Sequence, residues 1–282
     1  MSRGLEKPGI CRETGFLPLN PSSLKPAKGI KLFKTATPAV VGILIVNVLL
    51  FAWKMLSEPA NPRVEANPVD ELLALHFPYN DRLGFWQYVT HIFMHGHLAH
   101  IAFNMFGVFT FGSILERVWG TKRFLIFYFA AGIGAAVIHT GVNIYEFGTY
   151  VDYLATKGVS AESIQMFLDF KINLPYLTVE EAKAFRGIYW GSMLGASGAL
   201  YGVLVAFALL FPNAKLALIF LPVPVAAKYF VPVLILIDLL SIKTGFSLFG
   251  GGIAHVAHVG GALIGFLLML YWKKSLPRYR YE

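Results

Sequence analysis

The chain has 282 residues, of which 56% are hydrophobic and only 14% charged. A soluble domain of that length carries far more charge, and the repeated apolar stretches, each long enough to cross a hydrocarbon core of about 30 Å, predict a polytopic helical membrane protein. The formal net charge of +8 does not signal nucleic acid, because the basic residues sit at the ends of apolar segments in the positive-inside pattern, and the lone cysteine, Cys11, excludes an internal disulfide framework.

Residues 1–35 are polar, rich in Pro, Gly and Ser, and carry Arg3, Lys7, Arg12, Lys25, Lys28, Lys31 and Lys34. They read as a basic, flexible cytoplasmic tail without a cleavable signal, with Cys11 a free thiol rather than a lipid carrier. A first span is expected at residues 36–53, with Trp53 at the far interface. Residues 57–90 mix Pro, Asn and acids with aromatics, an outer loop in which Phe85-Trp86-Gln87-Tyr88 suits the interface. The second span, residues 97–115, ends at Glu116-Arg117 and a basic inner turn, Lys122-Arg123; the third, residues 124–144, returns outward. Residues 145–190 are expected to form a long outer loop with patches of helical periodicity, as at residues 179–185.

The fourth span, residues 197–211, is short. Residues 214–228 are apolar but broken by Pro222 and Pro224 and bounded by Lys215 and Lys228, which predicts an excursion along the inner interface. Joining residues 216–240 into one kinked span would bury Lys228 at a cost of about 2.5–3.5 kcal/mol. The fifth span (residues 229–242), a glycine-rich outer turn (residues 245–252) and the sixth span (residues 253–272) lead to a basic cytoplasmic tail, residues 273–282, with Lys273, Lys274, Arg278 and Arg280. The expected architecture is an all-α bundle of six transmembrane helices over residues 36–272, both termini cytoplasmic.

Three groups of residues carry chemistry. The run Gly195-Ala196-Ser197-Gly198-Ala199-Leu200-Tyr201-Gly202 opens the fourth helix. A serine there has small neighbours that admit a substrate backbone, and first-turn N–H groups aimed at a developing oxyanion; the same run also fits a small-residue packing face. In Ala257-His258-Val259-Gly260-Gly261, with Gly265 a turn later, His258, Gly261 and Gly265 share one face, which can press on Gly198 and Gly202 and bring His258 to Ser197. An ionisable residue in a span is a functional candidate, and a hydrogen-bonded structural histidine is the other reading. In the second span His100 and Asn104 share a face, as donors for an oxyanion or as inter-helix hydrogen bonds.

Together, His95, His100 and Asn104, Gly195-Ala196-Ser197-Gly198 with Tyr201, and Ala257-His258-Val259-Gly260-Gly261 resemble the rhomboid family of intramembrane serine proteases over about residues 85–271. The resemblance implies that Ser197 is the nucleophile and His258 its general base, in a dyad without a carboxylate. It implies an oxyanion hole of His100, Asn104 and the Ser197 N–H, with Tyr201 packed on the His258 ring to orient it. His95 would be structural, stabilising the first outer loop, and Glu116-Arg117 would be the family's charged end of the second span. One departure stands out: the family's loop commonly reads Trp-Arg where this chain has Trp86-Gln87. The implied substrates are membrane proteins whose transmembrane segments unwind near their outer ends, with small residues at the cut. The protein would be integral to a plasma or inner membrane, its site facing the outer, non-cytoplasmic side. The outer turn at 245–252 and the fifth span are the candidate gate.

No metal or organic cofactor is expected. His91, His95, His97, His100, His255 and His258 lack the Glu of a His-Glu-x-x-His pattern; His91, His97, His139 and His255 read as interfacial or packing residues, and Asp238, a lone acid near the outer end of the fifth span, has no evident partner for an aspartyl dyad. The alternatives are an inactive rhomboid-like protein that binds transmembrane clients, and a small transporter. The first typically lacks the serine or the histidine; the second predicts matching helix breaks in two halves, and none accompanies Pro222 and Pro224.

Overall fold

The computed structural model describes residues 37–61, 66–170, 172–218, 221–245 and 254–272, all within the unit Thr35–Glu282. The two basic tails, Cys11, and all of the glycine-rich turn except Gly245 lie outside the described residues. In chain order the elements are α1 (Pro38–Leu56), α2 (Pro68–Leu73), β1 (Leu75–His76), α3 (Gln87–Thr90), α4 (Leu98–Gly107), α5 (Ser113–Trp119), α6 (Thr121–Thr156), α7 (Ala161–Phe170), α8 (Val179–Trp190), β2 (Ser192–Met193), α9 (Ser197–Leu210), β3 (Lys215–Leu218), β4 (Leu221–Ala226), α10 (Ala227–Thr244) and α11 (His255–Trp272). A π-helical turn, Val108–Gly112, joins α4 to α5 into one rod.

Among the described residues four helical segments are long and apolar enough to cross a membrane: Pro38–Leu56, Leu98–Trp119, Thr121–Thr156 and His255–Trp272. Their outward faces carry exposed apolar side chains such as Val48, Leu49, Phe103, Ile126 and Leu267, the pattern of a surface solvated by lipid. Shorter α9 is apolar and buried along most of its length, at the centre, packed by α6 and α11. α10 packs beside α11 and α9 and carries Pro232.

Three expectations change. The third helix does not end at residue 144 but runs to Thr156. Past residue 144 its hydropathy falls, yet Phe147, Tyr150 and Leu154 pack with Phe77, Phe167, Phe185 and Tyr189 into an apolar cluster under α7 and α8. The long outer loop is therefore largely a helical cap with its own core; α8 starts with a capping box between Thr178 and Glu181. In the stretch expected to run along the inner interface, β3 and β4 pair antiparallel, Lys215 opposite Ala226. Lys228 beyond it bonds Asn213 at 3.0 Å, and the helix starts only at Ala227, which excludes one span through residues 216–240. With a second small ladder, Leu75 opposite Met193 and His76 opposite Ser192, the fold is mostly helical rather than purely so.

The end of the second span ties the bundle together. Buried Glu116 accepts hydrogen bonds from the Ala39 N–H at 2.9 Å, the Val40 N–H at 3.0 Å, the Thr121 hydroxyl at 2.7 Å and the Thr37 hydroxyl. Its carboxylate thus caps the start of α1, where unpaired N–H groups and the helix dipole favour negative charge. Glu116→Ala strands buried donors, each costing about 1–3 kcal/mol. The variant is expected to lose about 2–4 kcal/mol of stability, read as a lowered unfolding midpoint in detergent, with Glu116→Gln intermediate.

Candidate active site

Ser197 is the first residue of α9. The chain reaches it from β2 through Gly195, whose φ of +128° is accessible to glycine and strained for other residues. A side chain on Gly195 would also lie 2.8 Å from His100 Nε2. The Gly195 N–H is anchored to the His91 carbonyl at 2.9 Å, so the strand-to-helix corner is fixed from the second-span side.

The distance between α9 and α11 is set by glycine. A Cβ on Gly261 would overlap the carbonyl of Gly198, and one on Gly265 would lie 2.5 Å from Gly202 Cα. On the other flank, a Cβ on Gly202 would lie 2.6 Å from Ala131 Cβ of α6, and one on Gly198 2.8 Å from Ala135 Cβ. Only bare backbones permit this approach. It places His258 Nε2 2.8 Å from Ser197 Oγ. The Tyr201 ring, one turn past Ser197, stacks on the imidazole at 4.3 Å between centroids and 13° between planes. Ser197 and His258 are both half-buried.

His258 has a further neighbour that the sequence reading leaves alone. Its Nδ1 lies 3.2 Å from Oδ1 of Asp238 on α10, and His255 Nδ1, one turn earlier on α11, bonds the same oxygen. Asp238 is buried. The expected lack of a carboxylate at the histidine does not hold. The available signal was an acid in an apolar helix next in sequence to the histidine-bearing helix; what sequence lacks is the register of α10 against α11. Asp238, His255 and His258 also offer three ligand atoms within 4.8 Å of one another, a donor set suited in kind to a divalent cation. Direct hydrogen bonds between these atoms account for the grouping, since both imidazole nitrogens point at one oxygen.

On α4, the Gly96 N–H lies 3.4 Å from His100 Nδ1, which leaves the proton of the neutral ring on Nε2, the atom beside Gly195. Asn104 is buried one turn along the same face. Gly107 continues that face onto Leu200 of α9, 2.6 Å from where its Cβ would be. His95 stands apart from Ser197 and His258: its buried ring meets His100 edge-on at 4.9 Å, and its carbonyl accepts from Lys54 Nζ at 3.1 Å while Lys54 pairs with Asp70 at 2.7 Å. Gln87, in the place of the family's usual arginine, is fully buried. Its amide donates to the carbonyls of Arg82 (2.9 Å) and Glu71 (3.2 Å) and accepts from the His76 N–H (3.2 Å). A neutral side chain thereby staples the outer loop. A cavity of about 660 Å³ on the cap side is lined by His76, His139, Asn143, Glu146, Ser192, Met193 and Ala254 among others.

These features define a polytopic helical membrane protein with a serine and a histidine in hydrogen-bond contact across a glycine-packed helix pair. The family model for the Rhomboid domain matches residues 82–275, and the chain belongs to the rhomboid family. It is 28% identical over 247 residues to the presenilin-associated rhomboid-like protein, mitochondrial, of Homo sapiens, covering 84% of this chain and 50% of that protein. It is 32% identical over 142 residues to rhomboid protein 1, mitochondrial, of Saccharomyces cerevisiae, covering 50% of this chain and 40% of that protein. The chain thus spans about half the length of the curated relatives it matches.

The histidines ahead of α4 make the fold acid-sensitive. Burial lowers His91 to about 4 and His95 to about 3, against about 6.5 for a free imidazole. As pH drops below about 6.5 the unfolded chain takes up protons that the fold excludes, so stability is full above that pH and is lost progressively towards pH 3. The unfolding midpoint in detergent is expected to be flat above about pH 7 and clearly lower at about pH 5; a midpoint unchanged across that range contradicts the assignment.

Proposed function

We propose that the protein is an intramembrane serine endopeptidase that cuts other membrane proteins in or near their transmembrane segments. The observation that carries this reading is the 2.8 Å contact between Ser197 Oγ and His258 Nε2 at the start of a helix in a rhomboid-family chain. Ser197 Oγ attacks the scissile carbonyl while His258 Nε2 takes its proton, then returns it to the leaving amine; a water activated by the same nitrogen releases the acyl group. The negative charge on the tetrahedral oxygen is met by the Ser197 N–H in the first turn of α9, His100 Nε2–H and the Asn104 amide. Tyr201 holds the imidazole plane. Gly195, Gly198 and Gly261 keep the site narrow, and His95 supports its outer wall. Hydrolysis needs no metal or cofactor.

In the proposed topology α9 and α10 join the four long segments as a six-span bundle, with both basic tails on the cytoplasmic or equivalent inner side. A 14-residue helix such as α9 reaches about 21 Å. With its far end at the inner interface, Ser197 sits about 9 Å beneath the outer edge of a core about 30 Å thick. A transmembrane helix hides its carbonyls in internal hydrogen bonds, so substrates must unwind near their outer ends, and the glycine floor favours small residues at the cut. The names of the relatives carry the word mitochondrial, which favours an inner membrane over the plasma membrane.

Purified in detergent with a model transmembrane substrate, wild type is expected to cleave, and Ser197→Ala and His258→Ala to lose at least about a thousandfold in rate. A fluorophosphonate probe is expected to label wild type and not Ser197→Ala, and a chelator is expected to leave cleavage unchanged. Undiminished cleavage in either variant sinks the mechanism.

A further inference from the structure

We propose that Asp238 is a positioning residue for His258, making the site a serine–histidine–carboxylate relay whose acid comes from α10; this rests on the proposed Ser197–His258 chemistry. The resemblance alone implies a bare dyad. The geometry around His258 says otherwise. Nε2 faces Ser197 Oγ at 2.8 Å and Nδ1 faces Asp238 Oδ1 at 3.2 Å, so the two ring nitrogens point at the two partners a general base needs.

A carboxylate oxygen only accepts, so its partner nitrogen must carry the proton. With Nδ1 protonated, the neutral ring presents a bare lone pair at Nε2, the one form that takes the Ser197 proton. When it does, Nε2–H forms and the ring becomes an imidazolium; the proton on Nδ1 stays where it is, and the adjacent carboxylate offsets the new positive charge. Tyr201 stacking fixes the plane of the ring but cannot choose which nitrogen is protonated.

His255 supports the same assignment. Its Nδ1 bonds the same Oδ1, so two donors from one face of α11 hold one acceptor and pin the carboxylate between α10 and α11. An acid in an apolar helix is costly unless paired; buried Asp238 takes two hydrogen bonds from the helix that bears the candidate base, and the hydroxyl of Tyr201, the residue stacked on that base, meets the same carboxylate. A purely structural acid has no need to meet that ring on the nitrogen opposite the serine.

The test compares wild type, Ser197→Ala, Asp238→Asn and Asp238→Glu in detergent, with cleavage of a transmembrane substrate, fluorophosphonate labelling rate and unfolding midpoint measured on each. Asp238→Asn is expected to lower kcat by a hundredfold or more, towards the about 10⁴-fold of an Asp-to-Asn change in a soluble triad. KM should stay within about twofold and labelling should slow in parallel; Asp238→Glu should recover part of the rate. If Asp238→Asn keeps kcat within about threefold of wild type while Ser197→Ala is dead, the relay is wrong and the dyad stands. If Ser197→Ala still cleaves, both fall. Should Asp238→Asn not fold, nitrogen-15 spectra of wild-type protein decide the matter, with the His258 signals assigned by their loss in His258→Ala. A protonated Nδ1 with bare Nε2 is expected, and the opposite tautomer overturns the proposal.

Discussion

Everything at the candidate site depends on how closely α9 and α11 approach. At Gly261 the clearance from the Gly198 carbonyl leaves no room for a methyl group, and at Gly265 the facing atom is the Gly202 α-carbon. In lipid no hydrophobic force drives two such helices together, so the contact is held by van der Waals packing of bare backbones, with α6 supplying Ala131 and Ala135 from the other flank. The separation of Ser197 and His258 follows from that backbone distance. Both side chains stand within the first turn of parallel helices that start on the same side, which is why a hydrogen bond forms without either chain bending to meet the other.

The periphery solves a different problem, the satisfaction of buried polar groups where water is scarce. Glu116 does so for the start of α1, Gln87 for the carbonyls of Glu71 and Arg82, and Lys54 for the His95 carbonyl with Asp70 as its counter-charge. Glu116 and Lys54 join segments distant in sequence, and Gln87 ties α3 to the stretch 71–82 just before it. None touches Ser197 or His258, yet the His91 carbonyl that anchors Gly195 belongs to the helical turn that follows Gln87, and His91 Nδ1 bonds the Gln87 carbonyl at 2.8 Å. The loop staple thus reaches the site in two short steps.

What was legible in the sequence is what repeats at helical spacing. Glycines at 198 and 202 and at 261 and 265 demand close partners, and the His100–Asn104 face declares itself by its i, i+4 step. What was hidden depends on tertiary partners. The extension of α6 past residue 144 is stabilised by aromatic side chains of α7 and α8, which single-segment hydropathy does not see. The second of the paired strands, β4, carries Pro222 and Pro224, which break a helical pattern without stating what replaces it. Gln87 looked like a departure because its type was compared, whereas its four backbone partners are spread over residues 71–82. Asp238 looked solitary because helix register across a turn is not written in either helix.

That last case shows how a membrane site differs from a soluble one in its choice of partners. A carboxylate near an imidazole in water gains little from the contact, whereas one in an apolar span must find donors or be neutralised. Asp238 finds two donors on α11, and Asp238 Oδ2 and His255 Nε2 remain buried without a recorded partner among the described residues. The cluster therefore keeps hydrogen-bonding capacity beyond the two bonds from α11. Because His255 and His258 share one oxygen of Asp238, the two imidazoles are coupled through it, and Tyr201, which stacks on His258, meets the same carboxylate from α9, so the ring is held by groups from three helices rather than by one.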